Sequence, residues 1–263
     1  KGGQVVLNEN LTITSDTLLG SYFERFPISL RVVAHHGYRF SHWEGVIAGD
    51  ERRELSLSLA PGDTEVYAVF EPYIHPLESK LVINEISPKS GVAGDWLELY
   101  NGSKERLNLA KWTLSDLKQN TFTFPAVTIE PNDYLVIAED SVGFRAKYPK
   151  AYNVIGGLDF GLNKRQESIA LYSILGAMVD SISYEAPPVD SAFVLSLLLP
   201  DLNNSDPQNW AFRPGTGTPN AANPYYVESR VRAQQTRWMQ IGLAGGVFVL
   251  SLLLLVLRQR RIL

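Results

Sequence analysis

The sequence predicts a mainly β chain of two modules that ends in a single transmembrane helix. Three observations carry this expectation. Trp238 to Leu257 reads WMQIGLAGGVFVLSLLLLVL and holds no charge. At about 1.5 Å rise per residue this run spans roughly 30 Å, the thickness of a bilayer's hydrocarbon core. Ahead of it, short segments alternate in polarity or are rich in β-formers, and turn formers separate them about every ten residues, the spacing of an antiparallel sandwich.

Residues 1–72 contain the strand candidates QVVLNENLTI, ISLRVVA, ELSLSLA and EVYAVF, with turn signals at His36-Gly37, Glu44-Gly45, Gly49-Asp50 and Pro61-Gly62. Pro72, Pro76 and the polar residues between them mark 73–80 as a linker. Residues 81–222 hold KLVINEIS, DWLELYN, WTLSD, TFTFP, YLVIAED, SIALYS and MVDSISYE, and RPGTGTPNAANP closes the second module. Helix is expected only at the end. Asn223 suits an N-cap and Pro224 the first helical position, so one helix should run from about 224 to 259, with 223–237 as a stalk, 238–257 as the span and 258–263 as a basic tail. The run Ser191 to Pro200, SAFVLSLLLP, reads as an interior strand or as an exposed edge that docks against a partner, with the interior expected.

Composition narrows the function. Net charge is −4 and the first 220 or so residues carry no basic stripe, which argues against a nucleic-acid partner. Cysteine is absent, excluding disulfides, thiolate metal sites and a cysteine nucleophile. No cofactor or small-molecule substrate is indicated.

Beyond composition, GYRFSHWEG (Gly37 to Gly45) followed by ELSLSLAPGDTEVYAVFEP resembles the internalin-B-type bacterial repeat, through Gly37, Tyr38, Phe40, Trp43, Gly45, Ala68 and Phe70. LVINEI, DWLELYN, LNLAKWTLSD, FTFP and GAMVDSISY resemble the lamin-tail domain, an immunoglobulin-like β-sandwich. Its matching positions include Asn84, Glu85, Asp95, Trp96, Glu98, Asn101, Trp112, Asp116, Asp180 and Tyr184, and Trp210 with TGTPNAAN fits its bacterial members. The two modules in this order, with a C-terminal anchor, resemble the end of CotH-type spore-coat kinase proteins. The kinase motifs themselves are absent: the sequence shows no Gly-rich phosphate loop and no catalytic-loop Asp motif.

Glu85, Asp95 and Glu98 form a candidate carboxylate cluster, but the resemblance puts Asn84 and Glu98 on strands, holding loop backbone. Calcium among Asp95, Glu98 and Asp116 lacks a compact acidic loop. His35 and His36 are neighbours on a strand, point to opposite faces, and do not readily share a metal with His42. Trp96, Trp112 and Trp210 are expected to fill the sandwich.

In the span, Gly242 and Gly246 share a face on which a second helix can pack. Arg230, Arg232, Arg237 and Trp238 mark one membrane interface, and Arg258, Arg260 and Arg261 the other. Three arginines on each side do not set orientation by charge. The start at Lys1 and the short basic tail instead predict β modules on the periplasmic or extracellular side and a cytoplasmic C-terminus. The expected role is a non-catalytic scaffold: an accessory subunit in the cell membrane that binds a larger integral membrane protein complex, of respiratory or photosynthetic type. The membrane-anchoring end of a CotH-like surface kinase, or a cell-surface adhesin, is the alternative.

Overall fold

A computed structural model describes residues 2–23, 25–62, 64–88, 91–186 and 192–259. The chain forms two units, Lys1–Ala221 and Ala222–Leu263. The first is almost entirely β, and the second is one long helix.

The first module uses β1 (Gly3–Leu7), β2 (Leu11–Ile13), β3 (Ile28–Ala34), β4 (Tyr38–Gly45), β5 (Glu54–Leu57) and β6 (Val66–Pro72). They build a four-stranded sheet in the order β2-β1-β3-β5 and a two-stranded β4-β6 ribbon. Trp43 sits at the centre, almost fully buried, with its indole N–H donating to the Arg52 carbonyl at 2.8 Å. Phe40 meets both Trp43 and Phe70 edge to face, the geometry that the ring quadrupole favours.

The second module is an immunoglobulin-like sandwich. Its strands are β7 (Leu81–Ser87), β8 (Trp96–Asn101), β9 (Leu107–Asn108), β10 (Thr113–Ser115), β11 (Thr121–Thr123), β12 (Thr128–Ile129), β13 (Asp133–Ala138), β14 (Val154–Ile155), β15 (Gln166–Tyr172), β16 (Met178–Glu185), β17 (Phe193–Leu197) and β18 (Trp210–Pro214). One sheet runs β14-β13-β8-β7-β17-β18 and faces another of order β11-β10-β15-β16, while β12 and β9 form a small ribbon. Leu97, Leu99, Leu114, Ile169, Leu171 and Leu195 are among the side chains that fill the space between the sheets. From the apolar run at 191–200, Phe193 to Leu197 is wholly buried between β7 and β18, so it is an interior strand; Ser191 lies outside the described residues.

Residues 73–80 join the modules and are themselves packed. His75 meets Trp112 edge to face, Leu77 lies against the sandwich core, and His36 pairs with Glu78 at 3.0 Å. Val6, Val33 and Tyr172 form a shared apolar cluster, and Arg31 donates to the Gln119 carbonyl at 3.4 Å.

Helix is not confined to the end of the chain. Ser141–Lys147 forms α1, capped by the Asp140 carboxylate, which accepts from the Val142 N–H. Seven residues with a single fully buried side chain, Phe144, leave no periodicity to read in the sequence. Trp96 also departs from expectation. Trp112 and Trp210 belong to the sandwich core, whereas Trp96 lies on the far face of its sheet with Val136, Ala138 and Phe144. Alternation along β8 is the reason: Leu97 and Leu99 face inward, which sends Trp96 and Glu98 to the other side.

Asp180, on β16, ties the two sheets together. Its carboxylate accepts from the Ile83 N–H of β7 at 2.6 Å and from the Asn204 side-chain amide at 2.7 Å. Burial pushes its pKa up to about 8, against the lowering effect of those donors. The fold therefore holds a proton that the unfolded chain releases near pH 4, so this group's contribution is full at low pH and is lost as pH rises through about 8. The melting temperature of the detergent-solubilised chain should fall between pH 5 and pH 9. Asp180→Asn keeps an acceptor but cannot ionise, so it should flatten that fall; an equally steep fall in the variant would show that Asp180 is not its source.

Candidate functional site

Helix α2 spans Pro224–Gln259, about 54 Å at 1.5 Å per residue, with the Asn223 carbonyl accepting from the Val227 N–H. It contains a window of mean hydropathy 2.4, none of which is buried. Trp238, Leu243, Phe248 and Leu250 are all exposed. A helix apolar all round belongs either in a core or in lipid, and among the described residues none covers this window. It is a candidate membrane span.

Two hydroxyls on α2 are satisfied within the helix. Ser251 Oγ donates to the Val247 carbonyl at 2.8 Å and Thr236 Oγ1 to the Arg232 carbonyl at 3.0 Å, so neither hydroxyl presents an unmet donor to lipid. In the stalk, Arg230 stands over the Tyr226 ring at 5.7 Å and Arg232 pairs loosely with Glu228 at 3.8 Å. Arg237 and Trp238 lie where the apolar run begins, and Arg258 lies at its other end. Arg260 and Arg261 fall outside the described residues. Gly242 and Gly246 are one turn apart, and a methyl group added at either would touch nothing within 4 Å; Gly245 is equally bare.

A second arrangement lies just ahead of the helix in sequence. A bulge in β7 pairs Ile83 with Leu99 but Glu85 with Glu98, with Asn84 as the extra residue. Leu99 and Glu98 face opposite sides of the sheet, so the bulge re-aims Glu85 away from the sandwich core and beside Glu98. Both carboxylates are fully buried under a strap, residues 215–221. Glu85 accepts from the Thr218 N–H at 2.8 Å, the Thr218 hydroxyl at 3.0 Å and the Ser196 hydroxyl at 2.8 Å. Glu98 accepts from the Asn220 N–H at 2.5 Å and the Asn84 amide at 2.9 Å.

The rest of the strap is held as closely. The Tyr148 hydroxyl donates to the Thr216 carbonyl. Gly217 has φ +74, and a Cβ there would lie 2.8 Å from the Trp96 ring, so only glycine lets the strap lie on that indole. Asn220 takes φ 56, which asparagine tolerates, and its Oδ1 accepts from the Tyr152 and Asn153 N–H groups.

Burial raises the pKa of Glu98 well above its usual range, and the neighbouring Glu85 raises it further. Burial also raises Glu85, opposed by the strap and Ser196 hydrogen bonds. Paired carboxylates with raised pKa values can perform acid–base chemistry, but here the strap itself occupies their oxygens.

The other carboxylates of interest do not join them. Asp95 accepts from the Leu162 N–H at 2.7 Å, and Asp116 holds Asn120 through its N–H at 2.8 Å and its amide at 2.7 Å. Asp116 borders a cleft of about 350 Å³ shared with Lys118, Asp159 and Glu167, and Glu167 is occupied by the Leu117 and Asn163 N–H groups. His42 pairs with Glu44, and among the described residues no group of three or more His, Asp or Glu is placed to hold a metal ion. Of the three carboxylates that the sequence grouped, the structure brings Glu85 and Glu98 together, with Glu98 holding loop backbone as expected, and leaves Asp95 apart; the bulge that sets the pairing has no local signature.

Residues 76–186 match the family model of the lamin tail domain. The match ends at Ala186, ahead of β17 and β18, which hydrogen-bond into the same six-stranded sheet. No curated protein matches the chain.

Glu98→Ala would remove the acceptor of the Asn220 N–H and the contact of Glu98 with the Asn84 amide. It should cost on the order of 2–4 kcal/mol in denaturant unfolding and open residues 215–221 to limited proteolysis. Glu98→Gln keeps an acceptor and should cost less than half as much. Equal, small losses in both variants would show that the strap is held by other contacts.

Proposed function

We propose that this chain is a non-catalytic accessory subunit of a membrane protein complex, held in the membrane by α2 and presenting its β unit on the extracytoplasmic side. The observation that carries this reading is the apolar length of α2, none of which is buried among the described residues. Arg230, Arg232, Arg237 and Trp238 would occupy one interface and Arg258, Arg260 and Arg261 the other, the belt that snorkelling cations and amphipathic rings prefer. The bare glycine face at Gly242 and Gly246 gives a neighbouring helix close access, and dispersion contact there exceeds what mobile lipid supplies. The occupancy of Glu85 and Glu98 by the strap supports a scaffold rather than a catalyst.

A second reading keeps the anchor and changes the cargo: the membrane-proximal end of a CotH-like surface kinase. The Phe40, Trp43 and Phe70 core of the first module favours it, because those rings carry the internalin-B-type resemblance.

The two readings separate in mild detergent. A chain tagged at its C-terminus should migrate with partner proteins, and Gly242→Leu with Gly246→Leu should leave insertion intact while reducing co-purification several-fold. Migration of the wild type alone would sink the scaffold reading. Protease added to intact spheroplasts should remove the β unit; removal only after lysis would reverse the orientation.

A further inference from the structure

The connection from β2 to β3 is the least expected feature of the first module. β2 and β3 both pair with β1, so this connection crosses over β1 rather than closing a hairpin, and connections beyond about 12–15 residues without secondary structure are uncommon, serving as binding loops or as linkers. This one runs from 14 to 27. It exposes Leu18, Leu19, Tyr22, Phe23 and Phe26, with Leu19 at 90%, Phe23 at 81% and Phe26 at 69%. The Phe26 N–H donates to the Phe23 carbonyl at 3.0 Å, and the two rings meet edge to face at 6.4 Å, so the loop presents them together. Five large apolar side chains exposed on one loop are the kind of surface that marks an interaction site.

We propose that this loop is a second membrane contact, seating its leucines and aromatic rings in the interface of the bilayer that α2 crosses. The inference rests on the anchor reading above. Three observations select lipid over a protein partner. The chain carries its own span, so a bilayer stands permanently at high effective concentration near the β unit. Leucine and phenylalanine supply four of the five exposed apolar side chains and are the types that interfacial elements seat in lipid, whereas leucine is under-represented in protein hot spots. The loop sets Asp16 and Glu24 against Arg25, so its attraction is apolar and does not require anionic lipid.

The absence of cysteine makes the test direct. The full chain is prepared with one nitroxide label at Leu19→Cys, Leu250→Cys or Ser58→Cys and reconstituted in vesicles of phosphatidylcholine, with and without phosphatidylglycerol. Collision with oxygen against a water-soluble nickel chelate then reads depth. Leu250→Cys should report the bilayer interior and Ser58→Cys water. Leu19→Cys should report the interfacial region, with an oxygen-to-nickel ratio several-fold above that of Ser58→Cys in both lipid mixtures. Adding Phe23→Ser and Phe26→Ser, both at exposed positions, should return the Leu19 label to the aqueous value. A Leu19 label in water while Leu250 is in lipid would overturn the loop contact and leave the anchor standing. A Leu250 label in water would remove the anchor and the loop contact together. A Leu19 label that leaves water only when membrane proteins are added would also overturn the proposal and assign the loop to a protein.

Discussion

The six-stranded sheet of the second module is buried on both faces, and much of the local structure follows from that constraint. One face meets the smaller sheet across an aliphatic core. The other has no second sheet, so it must be closed by whatever chain is at hand. Helix α1 covers Trp96, Val136 and Ala138, and the strap covers Glu85 and Glu98. A buried carboxylate is tolerable only when its oxygens are hydrogen-bonded, and an irregular segment under a sheet is tolerable only when its N–H groups find acceptors. Each need meets the other. The acids beneath the strap are therefore the reason that an irregular segment can lie there at all.

Much of this architecture was legible in the sequence. Alternation and turn spacing indicated the strands, and the charge-free run indicated the terminal helix with its start at Asn223 and Pro224. What stayed hidden was set by tertiary context. The strand alternation that puts Leu97 and Leu99 in the core also fixes Trp96 on the opposite face, but only the pairing of β8 says which face that is. The bulge at Asn84 shifts Glu85 by one residue relative to Glu98, and nothing in the letters INEI announces it. Helix α1 depends on Asp140 as a cap and on a single buried ring, too little for a periodic signal.

The strap itself was visible as letters and opaque as physics. TGTPNAAN looks like a turn-rich closing segment, yet its residues have separate tasks. Thr216 offers a carbonyl to Tyr148, Gly217 lies on Trp96, Thr218 serves Glu85 twice, and Asn220 serves Glu98 while receiving two backbone N–H groups. Small polar residues with unusual backbone angles are what such a segment requires.

The position of that strap also decides how the β unit bears mechanical load. Asn220 lies three residues before Asn223, where the terminal helix begins. A pull arriving along the chain from a bilayer therefore meets Asn220 and Thr218 before it reaches β18, an edge strand. Edge strands peel one hydrogen bond at a time. Here any tension in the chain is first met by contacts seated on β7 and β8, near the middle of the sheet. The segment that completes the fold thus stands, along the chain, between the terminal helix and the edge strand.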